Sequence, residues 1–260
     1  MIKNNLCTAV AGLLLLTSAF FAQTDATRTN GTTEKTAVEG KPPAFDLDQF
    51  QFAILRRGPG RETLPAAELE KLQAGHMANI QQMARLGKLM AAGPLGKNDA
   101  GLAGIFIFKA ASIAEARALA VDDPLLKSER LTIDFFTWMG PKGLGVKFNA
   151  AFRQDEKTPA TMTKYYLALL KKGSGWTAES TPETRQLQLG HLRHIRQMLD
   201  AKTYMAAGPA GGNTDLLGLL VIAAKSPAEA RTAAEADPMV RAGRHQVEYF
   251  EWYCAKEVWP

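Results

Sequence analysis

Cysteine and histidine are scarce in this sequence, with 2 Cys and 4 His in 260 residues. Cys7 precedes an apolar stretch from Ala9 to Ala22, so Cys254 is the single thiol beyond that stretch. One thiol closes no internal disulfide, and packing must carry the stability of the folded part. Runs of like charge are also missing. No Lys or Arg run exceeds two residues, and 31 basic against 26 acidic side chains leave a mild excess of +5, which argues against a nucleic acid partner. The apolar stretch itself is shorter than the ~20 residues of a membrane span. What remains, 46% hydrophobic and 22% charged, is ordinary globular composition.

Lys3 followed by Ala9 to Ala22, with Leu13-Leu14-Leu15-Leu16 at its centre and small residues at its end, has the layout of a secretory signal. Residues 1–22 are expected to be that signal, cut near Ala19 or Ala22, placing the protein outside the cell or in the periplasm. The competing reading is an uncleaved anchor. Cys7 stands before the apolar core and is not placed as a lipoprotein acceptor. Residues 23–45 are mostly Thr, Asn, Gly and charged side chains, and are expected to be a disordered tether. Cys254, in a strand-like terminal segment, reads either as a buried inert thiol or as a nucleophile.

Beyond the tether the chain repeats itself. Phe52-Ala53-Ile54-Leu55-Arg56-Arg57-Gly58 matches Leu167-Ala168-Leu169-Leu170-Lys171-Lys172-Gly173, and the stretch Gly75-His76 to Met83 matches Gly190-His191 to Met198. Met-Ala-Ala-Gly-Pro recurs at Met90 and Met205, Ala-Glu-Ala-Arg at Ala114 and Ala228, and Asp-Pro at Asp123 and Asp237. The offset is 115 residues up to the Gly-Pro pair and 114 after it. This period exceeds that of solenoid repeats and divides the chain into one copy at 46–140, a linker at 141–161 and a second copy at 162–260.

Each copy reads as strand, helix, strand, strand, helix, strand. In the first copy the strands fall near Phe50 to Arg56, Lys88 to Ala92, Ala103 to Lys109 and Arg130 to Trp138. The long helix covers Leu64 to Leu86, with Leu69, Leu72, Ile80 and Met83 at helical spacing. A second helix starts at Ser112, with Glu115 completing a capping box. Ile105-Phe106-Ile107-Phe108 and Leu219-Leu220-Val221-Ile222 are apolar on both faces, so the sheet needs a cover on each side. Two helices cover one face, and the sheet of the other copy is expected to cover the second.

The His-bearing helix, the following Ala-Gly-Pro and the Ala-Glu-Ala-Arg helix leading to Asp-Pro and an aromatic closing strand resemble the YCII-related domain family of the dimeric α+β barrel superfamily. The resemblance covers both copies, from about Asp46 to Gly140 and Met162 to Val258. It implies an α+β fold in which tandem ferredoxin-like βαββαβ units form an intramolecular dimeric α+β barrel. It also implies a catalytic His and Asp, which fall at His76 with Asp123 and at His191 with Asp237. Many members carry an Arg three residues before the His, where this chain has Gln73 and Gln188.

The residues admit several chemistries. His76 shares a helical stripe with Leu72, Ile80 and Met83, and His191 with Leu187, Ile195 and Met198, so each imidazole faces the sheet. There it is either an acid–base group tuned by a carboxylate or a core histidine bonded to backbone. Asp123 and Asp237, each before a Pro, read as helix N-caps whether or not they also reach the histidines. His191 and His194 have a metal-ligand spacing, but Asn79 replaces the second His in the first copy and no metal site is expected. Arg56-Arg57 and Lys171-Lys172, each ahead of a Gly-rich loop, are either solvated strand ends or ligand-binding cations at a pocket mouth. The loops lack the P-loop pattern. Trp138, Trp252, Phe135, Phe136, Tyr249 and Phe250 read as core, with the alternative that a few of them line a pocket accepting an aromatic ligand. The expected function is cofactor-independent isomerisation or elimination on a small, anionic organic molecule, with a noncatalytic ligand-binding or interaction module as the alternative.

Overall fold

The computed structural model describes residues 40–60, 62–156, 160–212 and 215–260. The segments read as signal and as most of the tether lie outside the described residues.

The first copy comprises β1 (Leu47–Arg57), α1 (Ala66–Arg85), β2 (Leu89–Pro94), β3 (Leu102–Phe108), α2 (Ile113–Ala120), a single turn α3 (Pro124–Lys127) and β4 (Leu131–Pro141). The second repeats the plan with β5 (Met162–Lys172), α5 (Pro182–Asp200), β6 (Tyr204–Gly211), β7 (Leu216–Ile222), α6 (Pro227–Glu235), α7 (Pro238–Arg241) and β8 (His245–Ala255). Between them the segment read as a linker carries a further helix, α4 (Val146–Gln154). It starts at Gly145, whose φ of 71° and lack of a side-chain cap hide it from a search for capping residues. The last residues of the segment read as a tether are also engaged. Phe45 packs on the α5 side of the second copy with the Arg196 guanidinium over its ring, and Ala44 accepts a hydrogen bond from Arg196.

All strand pairings are antiparallel, and the order β2-β3-β1-β4-β6-β7-β5-β8 joins both copies in one sheet. The ends of that order also meet. Leu95 bridges Trp252 and the Gly96 amide donates to the Glu251 carbonyl at 2.8 Å, so the sheet closes into a barrel. The two seams match. At β4–β6 the Trp138 indole donates to the Gly208 carbonyl at 3.2 Å, and at β8–β2 the Trp252 indole donates to the Gly93 carbonyl at 3.2 Å.

Strand alternation sorts the side chains into an inside and an outside. Phe50, Phe52 and Ile54 from β1 and Tyr165, Leu167 and Leu169 from β5 point into the barrel, where they share one core with Trp138, Trp252 and Cys254. The intervening Ala53 and Leu55, and Tyr166, Ala168 and Leu170, form a separate outer layer under the helices of each copy. Trp259 lies edge-on to Tyr165 and Trp252 in the shared core. Cys254 is fully buried and burial pushes its thiol pKa up, which makes it a packing residue and not a nucleophile.

The capping boxes differ from the expected form. Ser112 accepts from the Glu115 amide, but the Glu115 carboxylate accepts from the Ala111 amide, one residue further out than the cap. Ser226, Glu229 and Lys225 repeat the arrangement. No helix among the described residues is long and apolar enough to cross a membrane.

Candidate active site

Asp123 precedes Pro124 and caps α3, with Oδ1 accepting the Leu125 amide at 2.9 Å. That bond fixes the carboxylate and leaves Oδ2 for the imidazole of His76, whose Nδ1 lies 2.6 Å away. The second copy reproduces both distances closely. Asp237 accepts the Met239 amide at 2.8 Å and stands 2.6 Å from Nδ1 of His191. Capping and pairing with the histidine are therefore two uses of one carboxylate.

The glycine before each histidine makes the approach possible. A Cβ on Gly75 would stand 2.7 Å from Cγ of Pro124, and one on Gly190 would stand 3.1 Å from Cγ of Pro238. Each long helix thus settles against the proline ring, and the next residue reaches the Asp. The same Gly-His pair in both copies was visible in the sequence, but its packing role was not.

Burial raises the carboxyl pKa of Asp123, and the hydrogen bond and charge of His76 more than offset it, so the group titrates below its ordinary value. Burial and His191 act in the same opposed way on Asp237, with the same net direction. An ionised carboxylate only accepts, so Nδ1 of each imidazole carries the proton. Nε2 is left without a partner among the described residues. That orientation makes Nε2 the atom able to take up or release a proton.

The surroundings of the two dyads differ. His76 stacks on Phe106 at 6.0 Å, with Asn79 donating to Asp123 at 3.4 Å. His191 meets the ring of His245 edge to face at 5.2 Å. At the equivalent positions the first copy has Leu131 for His245, Phe135 for Tyr249 and Leu89 for Tyr204. Burial, together with the His191 charge, lowers the His245 pKa to about 4, and its Nδ1 is buried without a partner among the described residues. Burial and the nearby Glu235 push the Tyr249 hydroxyl up to about 12. His194 and Tyr204 both donate to the carbonyl of Ala233, at 2.9 and 3.1 Å. His194 and His191 therefore serve different partners, and no cluster of His, Cys, Asp or Glu among the described residues has the layout of a metal site.

The four cations read as strand ends or as ligand-binding groups at a pocket mouth divide between two settings, neither in hydrogen-bond contact with the dyads. Arg56 and Lys171 lie on the inward-facing parity of β1 and β5 and line a cavity of about 300 Å³ at one end of the barrel. Arg57 is exposed on the outward parity, and Lys172 lies over the Trp176 ring at 4.6 Å. A second cavity of about 200 Å³ lies between α4 and the starts of β1 and β2. Neither cavity is lined by His76 or His191. The dyads instead occupy the outer layer, between helix and sheet.

The profile of the YCII-related domain matches residues 51–133 and 150–253, most of both copies. The chain belongs to the YCII-related domain family. No curated protein matches it. Among solved structures, an arginine-to-lysine variant of chlorite dismutase from Candidatus Nitrospira defluvii aligns with a TM-score of 0.53 at 15% identity, over 80% of this chain and 90% of that one. A tryptophan-to-phenylalanine variant of the same protein, in complex with cyanide, gives 0.53 at 14% identity with the same coverage. At that identity the likeness establishes the fold alone. This YCII-related protein is thus an α+β barrel of two ferredoxin-like units, with a His–Asp dyad on the outside of each.

Proposed function

We propose that this YCII-related protein performs acid–base chemistry on a small organic molecule, of the enolisation type that underlies isomerisation and elimination. Nε2 of His76 or His191 takes a proton from carbon next to a carbonyl, and the electron pair passes into the carbonyl oxygen. The imidazolium then returns the proton to a neighbouring atom, or the electron pair expels a leaving group. Asp123 and Asp237 hold the tautomer and stabilise the positive ring that forms in the step. No metal or organic cofactor enters this scheme. The observation that carries the reading is the 2.6 Å contact found in both copies, each made by a carboxylate already fixed as a helix cap.

The test is deuterium exchange into small carbonyl compounds, followed by mass spectrometry on the full chain and on His76→Gln, His191→Gln and the double variant. Each single variant is expected to lose one site's share of exchange. The double variant should fall by roughly 10²- to 10⁴-fold, the usual contribution of a positioned acid–base group. Exchange that survives in the double variant overturns the proposal.

A second reading, noncatalytic ligand binding, is favoured by the two cavities that neither imidazole lines. It requires ligand affinity to persist in the double variant while the unaltered protein exchanges nothing. Export to the periplasm or the medium is part of the proposal on the strength of residues 1–22. N-terminal sequencing of the mature chain near Ala19 and Ala22 tests it.

A further inference from the structure

The cavity of about 300 Å³ at the barrel end exists only because two copies meet. Ile54, Leu102 and Phe136 from the first copy and Leu169 and Leu216 from the second give it an apolar floor. Its rim carries charge of both signs. On one side stands Arg56, which holds Asp134 through Nε at 2.7 Å and whose terminal guanidinium nitrogens have no partner among the described residues. Asp134 itself does not line the cavity. The second copy contributes Glu248 and Asp215 to the lining, along with Lys171, which pairs with Glu248 at 2.7 Å. Asp215 stands 3.6 Å from Lys172. The volume is at the lower end of those that take small molecules.

We infer that this barrel mouth binds a small zwitterion with an apolar body, of the size and chemistry of an apolar or aromatic α-amino acid. The ligand carboxylate meets the guanidinium of Arg56, whose planar fork suits two carboxylate oxygens. The ligand ammonium meets Glu248 and Asp215, and the apolar body covers Ile54, Leu102, Phe136, Leu169 and Leu216. A simple anion uses half of this rim and faces the two carboxylates with like charge. The anionic ligand expected from the basic pairs is the competing occupant. The inference does not depend on the acid–base reading of the dyads, which lie in the outer layer.

Calorimetric titration of the full chain with L-phenylalanine, 3-phenylpropanoate and phenethylamine separates the two charges. Phenylalanine is expected to bind about tenfold or more tightly than either single-charge analogue, the factor a charge-assisted hydrogen bond supplies. Arg56→Gln should weaken phenylalanine by a similar factor. Glu248→Gln should do the same while leaving 3-phenylpropanoate unchanged or tighter. Both residues are partly exposed, and unaltered thermal melts verify that the variants fold. Equal binding of phenylalanine and either analogue, no heat with phenylalanine at millimolar concentration, or indifference to both substitutions overturns the inference.

Discussion

His245 shows how one side chain sets a pH response. Its pKa lies near 4 in the folded chain against an ordinary 6.5, chiefly because burial disfavours the charged ring. Between those values the unfolded chain binds a proton that the folded chain refuses, so stability falls as the pH drops from about 6.5 towards about 4. Asp123 and Asp237 act lower down. Their carboxyls titrate below the ordinary 3.8, so the stability they contribute is present above that value and lost as the pH falls through the depressed one. His245→Leu, which installs the side chain found at Leu131 in the first copy, should flatten the upper window and leave the lower one intact. Denaturant midpoints measured across the pH series check it.

Residue-level chemistry was legible in part. The duplicated Gly-His and Asp-Pro pairs marked His76, Asp123, His191 and Asp237, because a motif that appears twice is set apart from incidental histidines such as His245. The paired cations divide for a physical reason, Arg56 and Lys171 lining the barrel-end cavity and Arg57 and Lys172 not. Adjacent strand residues face opposite sides, so Arg56 and Arg57 cannot serve one pocket, and Ile54 inside with Leu55 outside already fixed which of them turns inward. The polar setting of His191 was not legible, since it is assembled from β6 and β8 across the sheet.

Among the elements, the long helices and strands followed from periodicity and two-faced apolar runs. Helix α4 did not, because its cap is a glycine and its anchor is internal. Asn149 is buried there and donates to the Leu89 carbonyl at 3.0 Å, a contact that no local pattern announces. The packing of α1 on α3 and of α5 on α7 gives a graded expectation. Replacing a helical glycine by alanine normally adds about 1 kcal/mol of helix stability. Gly75→Ala should instead destabilise, since its Cβ would stand 2.7 Å from the Pro124 ring. At Gly190 the 3.1 Å approach to Pro238 demands less movement, so Gly190→Ala should cost less than its counterpart. Urea unfolding of the two variants gives the order, and the reverse order would count against this account of the helix contact.

The whole molecule depends on its seams. A Cβ on Gly93 would stand 1.8 Å from the Tyr253 carbonyl oxygen, and one on Gly208 would stand 1.8 Å from that of Met139. Alanine at either position forces backbone apart where the copies join, and a loss of roughly 3 kcal/mol or more is expected from overpacking with broken seam hydrogen bonds. The same shared core predicts the behaviour of the halves. Residues 46–140 or 162–260 expressed alone would expose the inward faces of β1 or β5, and sedimentation should show each half self-associating or pairing with the other when mixed. A folded monomer from either half would contradict the common core.

Fusing the two copies has one more effect, on how the protein can change. In a barrel made from two identical chains every substitution lands twice, once beside each dyad, and must suit both. Here the α4 segment makes the halves separately mutable. His245 can stand against one imidazole while Leu131 occupies the corresponding strand position in the other copy, so a change beside one dyad need not be matched beside the other.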